Sequence, residues 1–475
     1  MEGICPICNK RATLKCSGCK QQFYCKKEHQ RRDWPRHRSA CQAWEIRENS
    51  ELGRHLLASR DLNPGDVIVS ESPLVWGPAL HSDQRVCIGC GKRCNISSTI
   101  CMNCLWPSCG TECPNLTYKN SHDSECLFLI KSRIIPRSDV LLVIRMLLLW
   151  RKKSKRWSSL EKLQSHENLR GPGTEAYEET MNIIQYIERI LPDSASKDIV
   201  RKICGIIDVN ALDTIPPEGS VAIYEIACLL EHSCLANTRH SFTIDDKGRP
   251  RIMVIAVCPI KKGEHLSTMY THALWATKER RAHLLETKYF SCHCKRCADP
   301  TELGTHLGSL KCPQDNGFIL PKNPLDFDSE WGCDSCPGIL TAAEVTQFVE
   351  KMEEDVDDVM RQAKKDKMLN LLSRLTTLLH PGHQQCITVS HSLIQLLPAD
   401  DPKKSELCKR IIETVKILDP YGVRLALYTV VALRELSTCL GEDRKRLLLE
   451  AISLLQYEPK NSPGEKLRRL IETEL

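Results

Sequence analysis

The sequence predicts an α+β multidomain protein: a β-rich core interrupted by zinc modules and followed by a helical C-terminal domain. Three observations carry that. There are 27 cysteines in 475 residues, many of them paired at two- or three-residue gaps. Alternating apolar runs broken by glycine turns lie near residues 53–75 and 240–270. From Ala342 onward the apolar residues recur at three and four, as in a stack of helices. A chain of this length also exceeds one ordinary core, so several modules are expected.

Composition narrows the classes. A net charge of +6 over the whole chain, with basic residues diffuse and small clusters such as Lys152 to Arg156, reads as solvated helix faces. Direct nucleic-acid binding is therefore expected to be weak or absent. The longest apolar stretch, Val140 to Trp150, is interrupted by Arg145 and too short to cross a bilayer, so no membrane span is expected. The chain opens Met1-Glu-Gly-Ile-Cys-Pro, without an apolar signal segment. Reduced, metal-holding thiols are thus preferred over disulfides, and the expected location is nucleus and cytoplasm.

The first module holds Cys5-x2-Cys8, Cys16-x2-Cys19, Cys25-x3-His29 and His37-x3-Cys41. Two-residue gaps let a turn bring two thiolates to one metal, and three-residue gaps set ligands one turn apart on a short helix. Alternating pairs would interlock as Cys5, Cys8, Cys25 and His29 on one zinc and Cys16, Cys19, His37 and Cys41 on another. The order repeats in Cys87-x2-Cys90, Cys101-x2-Cys104, Cys109-x3-Cys113 and His122-x3-Cys126, with Cys94 left over. A duplicated cross-brace with two further zinc ions is expected, as a rigid insert rather than a second binding surface.

Between and after these modules, Gly53 to Ala58 and Val67 to Val75 read as strands around the turn Asp61-Leu-Asn-Pro-Gly-Asp66. Val140 to Lys153, Glu175 to Leu191 and Lys197 to Ile207 read as helices, and Ser154 to Thr174 as a loop. Val221 to Leu230 is a helix-compatible apolar run delivering the polar cluster Glu231, His232, Ser233, Cys234 and Asn237. His240 to Ile244 and Arg251 to Val257 read as strands joined by Asp245-Asp-Lys-Gly248, and His265 to Tyr270 as a short strand. Thr277 to Lys288 is an amphipathic helix with Arg280 and Arg281 on its polar side. Cys292, Cys294 and Cys297 follow, and with Cys234 they can close one tetrahedral zinc site that staples a lid over the polar cluster. Cys312, Cys333 and Cys336 look like a zinc ribbon lacking one thiol. Asp315 stands where that thiol would be, and both an oxygen ligand and a metal-free site stay open. The helices expected in the tail are Ala342 to Lys364, Met368 to Leu379, His383 to Leu397, Lys403 to Leu418, Tyr421 to Leu440, Asp443 to Leu455 and Pro463 to Glu474, with Cys386, Cys408 and Cys439 as core residues.

Two resemblances follow. The first module, with Tyr24-Cys25 and Asp33-Trp34 between its ligands, is similar to a MYND finger. That resemblance implies binding of a proline-rich peptide of a partner such as a co-repressor, through an exposed surface at Gln30 and Trp34; capping of the next domain is the bland alternative. The stretch Glu231-His-Ser-Cys-Leu-Ala-Asn237, the later thiol trio and Tyr270 between them resemble the SET domain, a fold that methylates lysine with S-adenosylmethionine. A second finger inside that domain is similar to the arthropod SmydA branch of SET-and-MYND proteins. The C-terminal helices are similar to the tetratricopeptide-like region of the same proteins, whose concave side would wall the substrate groove or bind partners.

The resemblance implies a monomer that modifies a protein substrate at a target lysine, uses S-adenosylmethionine and about five zinc ions, and acts in chromatin regulation and transcriptional repression. Tyr270 would be the catalytic tyrosine, with an ordinary strand-end aromatic as the plain alternative. Gly53, Arg54, Asn210, Glu231, His232, Tyr270 and Phe290 would contact the cofactor. The family's second glycine is replaced by His55, which either crowds the cofactor or points outward. The usual asparagine is replaced by Glu231, whose carboxylate only accepts hydrogen bonds and would repel the cofactor's carboxylate. A second channel tyrosine is replaced by Lys288. A weak or inactive SET-fold adaptor is therefore the rival reading. The corresponding domains are 1–45 (finger), 46–86 and 206–290 (SET core), 87–130 (inserted finger), 131–205 (helical insert), 291–340 (post-SET zinc region) and 341–475 (helical domain).

Overall fold

In this computed structural model, which describes residues 3–16, 22–38, 41–80, 82, 85–95, 98, 100–110, 113, 122–130, 137–193, 195–214, 219–244, 249–439 and 443–475, the N-terminal finger is two small ribbons and a helix. Strand β1 (Gly3–Ile4) pairs with β2 (Arg11–Ala12), β3 (Leu14–Lys15) pairs with β4 (Phe23–Tyr24), and α1 spans Lys27–His37. Inside it the buried carboxylate of Asp33 accepts hydrogen bonds from the Tyr24 hydroxyl at 2.8 Å and from Arg36 Nε at 2.9 Å. Cys19 lies outside the described residues.

The described residues divide into two units: Met1–Leu56, Val67–Leu230 and His240–Val254, and Leu57–Asp66, Glu231–Arg239 and Ile255–Leu475. The division runs through the 46–86 and 206–290 segments assigned to one core. In the first unit β5 (Trp44–Asn49) pairs with β6 (Gly53–Ala58), which continues into the second. The run expected as one strand after the Pro-Gly turn is two, β7 (Val67–Glu71) and β8 (Val75–Pro78). The inserted finger leads into α2 (Asp123–Leu129), and α3 (Leu141–Arg151) crosses β8. A Cβ at Gly77 would stand 3.2 Å from the Leu142 Cβ, so the missing side chain lets helix and strand approach closely.

The stretch expected as a loop from Ser154 contains α4 (Lys155–Leu160): the Ser154 side chain caps Trp157 N–H, and Trp157 and Leu160 are buried. Helices α5 (Glu175–Ile190) and α6 (Lys197–Asn210) complete the insert, α6 running three residues beyond the expected end. Val221 to Leu230 is not helical. Its first part is β10 (Ser220–Ile223), held between β8 and β9 (Leu212–Thr214) with Val221 opposite Gly77 and Asp213; only a short 3-10 turn, Ala227–Leu229, follows. Two antiparallel neighbours supply a strand ladder that an apolar run read alone does not reveal. The Glu71 carboxylate fixes the turn by accepting the Ala227 N–H at 2.7 Å and the Ile226 N–H at 3.0 Å.

In the second unit β11 (Glu231–His232) runs parallel to β14 (Ser267–Thr268), so the strand expected from His265 to Tyr270 is only its middle. Strands β12 (Thr238–Ile244) and β13 (Pro250–Ala256), whose residues 240–244 and 250–254 belong to the first unit, share a sheet there with β7; the turn expected at 245–248 lies outside the described residues. Helix α7 (Thr277–Lys288) ends at Tyr289, which takes a left-handed φ of 62° and returns its N–H to the Leu284 carbonyl. A short α8 (Lys295–Ala298) follows. A four-stranded antiparallel ribbon comes next: β15 (Leu310–Lys311), β16 (Phe318–Pro321), β17 (Trp331–Cys333) and β18 (Ile339–Leu340).

The tail is helical as its periodicity predicts: α9 (Ala342–Gln362), α10 (Lys365–Leu378), α11 (Gln384–Leu393), α12 (Pro402–Leu418), α13 (Ala426–Leu436), α14 (Arg444–Leu454) and α15 (Pro463–Glu472). Successive helices pack on each other around a core that includes Leu375, Cys386, Cys408, Leu433, Cys439 and Leu448. Among the described residues no helix is long and apolar enough to cross a membrane.

Candidate active site and zinc centres

The centre of the second unit is four thiols drawn from two distant stretches. Cys234 Sγ lies 3.5 Å from Cys297 Sγ and 4.0 Å from Cys292 Sγ, and with Cys294 all four sulfurs fall within 4.8 Å of one another. With zinc–sulfur bonds of about 2.3 Å the edge of a tetrahedral site is roughly 3.8 Å, so the donors fit a structural zinc. Hydrogen bonds from Cys292, Cys294 and Cys297 hold the Cys234 thiol far below the ordinary range, and the same contacts push Cys292 and Cys297 up, so the four sulfurs hold their negative charge as a set.

Behind the sulfurs stands a cation that the helical pattern hides. Arg280 and Arg281, expected on the solvent side of α7, are 0 % and 3 % exposed. Arg280 donates from Nε to Cys234 Sγ at 3.3 Å and from Nη2 to Cys297 Sγ at 3.5 Å, and its Nη1 meets Glu302 Oε2 at 2.6 Å. Burial opposes its charge, but the Glu302 carboxylate and the Cys234 and Cys297 thiolates outweigh that and hold its pKa above the ordinary value. Glu302, at a left-handed φ of 51°, also accepts Arg296 Nε at 3.2 Å and Thr277 N–H at 2.8 Å. Arg424, in the turn before α13, donates to the Cys234 carbonyl at 3.0 Å, so the helical tail grips the same loop. Arg281 instead donates to the Cys292 and Pro324 carbonyls and covers the Phe327 ring. None of these partners has a spacing signal; a buried pair of adjacent arginines is recognisable only once the anionic sulfurs beside it are placed.

On this zinc lobe rest three rings. His232 Nδ1 accepts the Tyr270 N–H at 3.1 Å, which puts the ring proton on Nε2, 3.4 Å from Cys234 Sγ. His232 therefore bridges a candidate zinc ligand and the Tyr270 backbone with its two nitrogens, and a cofactor contact from it falls to its backbone. Its ring is 5.2 Å from that of Tyr270 and 5.8 Å from that of Phe290, with Tyr270 and Phe290 6.4 Å apart, edge to face. The left-handed Tyr289 turns the chain so that Phe290 joins them. Glu231 Oε2 accepts a hydrogen bond from His265 Nδ1 at 2.7 Å. Asn237 clamps the same strands: its Oδ1 accepts Ser267 N–H at 2.9 Å and its Nδ2 donates to the His265 carbonyl at 2.7 Å.

The other expected cofactor residues, Gly53, Arg54 and Asn210, belong to the first unit. Gly53 has a φ of 62°, and nothing among the described residues lies within 4 Å of where its Cβ would stand, which fits backbone lying open to a ligand. Arg54 Nη2 donates to the Lys162 carbonyl at 2.9 Å. Asn210 Nδ2 spends its protons on the Gln164 and Ile206 carbonyls at 2.7 and 2.9 Å, which leaves Oδ1 as an acceptor suited to an ammonium group. His55 does not point outward: it is 4 % exposed, with Nδ1 3.0 Å from the Gly53 carbonyl. Within the first unit, the open backbone at Gly53 and the acceptor at Asn210 Oδ1 suit S-adenosylmethionine.

The fingers gather their ligands in the interlocked order. Cys5, Cys8, Cys25 and His29 converge, His29 through Nδ1 at 3.2 Å from Cys25 Sγ. Of the second set, Cys16 and Cys41 have sulfurs 3.7 Å apart and His37 is buried. Gln30 Nε2 points to Cys16 Sγ at 3.6 Å and Trp34 packs on the finger core, so both are half-buried rather than the exposed surface expected. In the insert Cys87, Cys90, Cys109 and Cys113 form one cluster and Cys101, Cys104, His122 and Cys126 another. Ile88, Cys104 and Trp106 enter the same core as Leu129 and α3, in keeping with a rigid insert. Arg145, which interrupts the apolar stretch, donates to the Trp76 and Ile88 carbonyls at 2.7 Å each and to Glu125 at 2.8 Å. Cys94 stays outside both clusters, and its Sγ donates to the Lys92 carbonyl at 3.7 Å.

Cysteine clusters with the geometry of zinc sites, stapling a strand-and-tyrosine core, point to a SET fold with a MYND finger ahead of it. The MYND finger model matches residues 5–41 and the SET domain model residues 53–271. The chain thus carries a MYND finger followed by a SET domain, the pairing found in the SET-and-MYND proteins. It is 25 % identical over 356 residues to the SET domain-containing protein SmydA-8, isoform A, of Drosophila melanogaster, covering 70 % of this chain and 73 % of that one. Histone-lysine N-methyltransferase ASHR1 of Arabidopsis thaliana is 24 % identical over 307 residues, 57 % of this chain and 62 % of that one. Histone-lysine N-methyltransferase SMYD3 of Homo sapiens is 26 % identical over 271 residues, 52 % of this chain and 60 % of that one.

Proposed function

We propose that this protein transfers methyl groups from S-adenosylmethionine to lysine side chains of protein substrates, histone or other, as a monomer in nucleus and cytoplasm. In this reading the MYND finger holds a proline-rich segment of a partner such as a co-repressor, and the pair acts in transcriptional repression. The observation that carries the reading is the bond from the Tyr270 N–H to His232, which ties the tyrosine to the zinc-ligand loop and fixes where its ring stands. Bound S-adenosylmethionine supplies an electrophilic methyl group on a sulfonium centre. Tyr270 and Phe290 wall off water, which favours the neutral form of an incoming amine whose ordinary pKa is about 10.4. The Tyr270 hydroxyl then orients that amine for in-line attack.

Radiolabelled methyl transfer to a panel of nuclear and cytosolic proteins tests this. Tyr270→Phe should lower transfer by about a hundredfold, as expected for lost alignment, with zinc content unchanged. No binding of S-adenosylmethionine by titration calorimetry at millimolar ligand would end the enzyme reading. A second reading, an adaptor that keeps the SET fold for shape, draws on the 2.7 Å contact of Glu231 with His265, since a carboxylate there gives the cofactor's own carboxylate no donor. If transfer emerges only in Glu231→Asn, alone or with His55→Gly, the adaptor reading stands.

A further inference from the structure

The ribbon between the zinc lobe and the helical tail carries a cluster that the proposed chemistry does not use. Cys312, Asp315, Cys333 and Cys336 place one ligand atom each within 4.8 Å of the others. Cys312 Sγ and Cys336 Sγ are 3.7 Å apart, and Cys333 Sγ is 3.5 Å from Asp315 Oδ1. A tetrahedral zinc with bonds of about 2.3 Å to sulfur and about 2.0 Å to oxygen has edges of roughly 3.8 and 3.5 Å.

The two loops that supply these ligands are built alike, bond for bond. In Cys312-Pro-Gln-Asp-Asn-Gly317 the Cys312 N–H donates to the Gly317 carbonyl at 2.9 Å, and in Cys333-Asp-Ser-Cys-Pro-Gly338 the Cys333 N–H donates to the Gly338 carbonyl at 2.9 Å. The N–H two residues on points back to the first sulfur in each: Gln314 to Cys312 at 3.5 Å, Ser335 to Cys333 at 3.4 Å. The glycine N–H points to the second ligand in each: Gly317 to Asp315 Oδ1 at 2.8 Å, Gly338 to Cys336 Sγ at 3.4 Å. Asp315 thus occupies the position of a second cysteine in an otherwise matching knuckle. Both knuckles need their glycine, since a Cβ at Gly317 would meet Cys333 Sγ at 2.7 Å and one at Gly338 would meet Cys336 Sγ at 3.2 Å. Backbone amides aimed at every ligand favour its anionic form.

We propose that Cys312, Asp315, Cys333 and Cys336 bind a structural zinc ion through three sulfurs and one oxygen, beyond the ions of the two fingers and the lobe. Three thiolates exclude calcium and magnesium, and four donors without an open position mark a structural site. The ribbon needs such a clip, because β15 and β18 are only two residues long. At one end of β17 Trp331 enters the core of the helical tail; at the other Cys333 holds the ion. Lys311 Nζ donates to the Thr376 carbonyl at 2.6 Å, and the Ser309 carbonyl accepts the His380 N–H at 3.0 Å, so the clipped ribbon is fastened to α10 and the turn after it.

The test is metal counting on the full-length reduced protein by inductively coupled plasma mass spectrometry. Asp315→Ala and Cys333→Ser should each lose one zinc per chain, and Asp315→Cys should keep the wild-type count while releasing one ion to a chelator more slowly. Because a variant can fail to fold, the cadmium-substituted wild type and Asp315→Cys are also compared by cadmium-113 resonance. One signal should move toward those of the four-sulfur sites while the rest hold. Unchanged zinc counts in Asp315→Ala and Cys333→Ser, no signal moving in Asp315→Cys, or a mapped Cys312–Cys336 disulfide in the reduced preparation would overturn the proposal.

Discussion

The candidate zinc clusters of the inserted finger and of the SET lobe are each backed by a helical arginine, half-buried in the first and fully buried in the second, but the two arginines serve differently. At Cys101, Cys104, His122 and Cys126, three thiolates and a neutral imidazole would exceed the charge of a bound zinc by a single negative charge. There Arg145 stays one step back: it pairs with Glu125 at 2.8 Å, and Glu125 lies 3.7 Å from His122 Nδ1. At Cys234, Cys292, Cys294 and Cys297 the fourth thiolate doubles that excess. Arg280 therefore touches two of the sulfurs directly, and Glu302 and Arg296 set the charge behind it. The ligand set dictates what the neighbouring helix must supply: a carboxylate behind a histidine, a guanidinium against thiolates.

The largest expected effect comes from removing the direct contact. Arg280→Met leaves the Cys234 and Cys297 sulfurs without their donor and Glu302 with one cation fewer. Breaking a buried ionic set of this kind costs about 3–5 kcal/mol. Thermal unfolding should fall accordingly, and the lobe zinc should be the first ion lost to a chelator. Arg280→Lys should recover only part, because an ammonium cannot span both sulfurs and Glu302. If Arg280→Met retains both melting temperature and zinc, direct charge compensation is not what holds the lobe.

Arg145→Leu should cost less, about 2–4 kcal/mol, because what it leaves uncompensated is the Glu125 carboxylate and two carbonyls rather than metal-bound sulfur. Burial raises the pKa of Glu125 while Arg145 and His122 pull it below the ordinary value, the net shift being downward. A depressed carboxylate stabilises the fold above its unfolded pKa, and that contribution is lost as pH falls through the folded value. Wild type should therefore lose stability on acidification more steeply than the double variant Arg145→Leu/Glu125→Gln. Parallel acid profiles for the two would show that the pair is not coupled to the finger.

These arginines also mark where sequence reasoning reached its limit. Ligands two or three residues apart state their partnership in the spacing itself, and the helices of the tail state theirs in apolar periodicity, so both were legible. Cys234 with its distant trio was legible because four thiols are what one structural zinc needs. Arg280 and Arg281 were assigned to solvent because a helical pattern ranks arginine as polar, and nothing local says that anionic sulfurs will fold against it. The same limit applies to Val221 to Ile223, an apolar run that becomes a strand only because β8 and β9 flank it, and to Glu71, whose carboxylate holds the Ile226–Ala227 turn from the end of β7, a strand of a different sheet. His55 shows the reverse: a polar residue in a strand position that packs inward.

The smallest effect comes from a buried carboxyl group on the same helix as Arg280, one of whose oxygens meets no hydrogen-bond donor among the described residues. Glu279 Oε2 is shut off from solvent without a partner, beside a cavity of about 210 Å³ that Glu302, Glu353 and Trp331 also line. Burial pushes its pKa up to about 7, aided by the negative charges of Glu353 and Glu302 and opposed by a hydrogen bond from its own backbone amide and by the positive charge of Lys278. A carboxylate raised in the folded state binds its proton more tightly there than in the unfolded chain. Its contribution is therefore fully present below about pH 4.5 and is lost as pH rises through 7. Glu279→Gln keeps the shape of the protonated acid and removes the cost of ionising it. The variant should match wild type near pH 5 and exceed it at pH 8 by at most about 2–3 kcal/mol, read as a difference in urea midpoint at the two values. Equal midpoints at pH 8 would mean that Glu279 ionises without penalty, and that helix α7 tolerates an unpaired carboxylate one residue from the guanidinium it cannot do without.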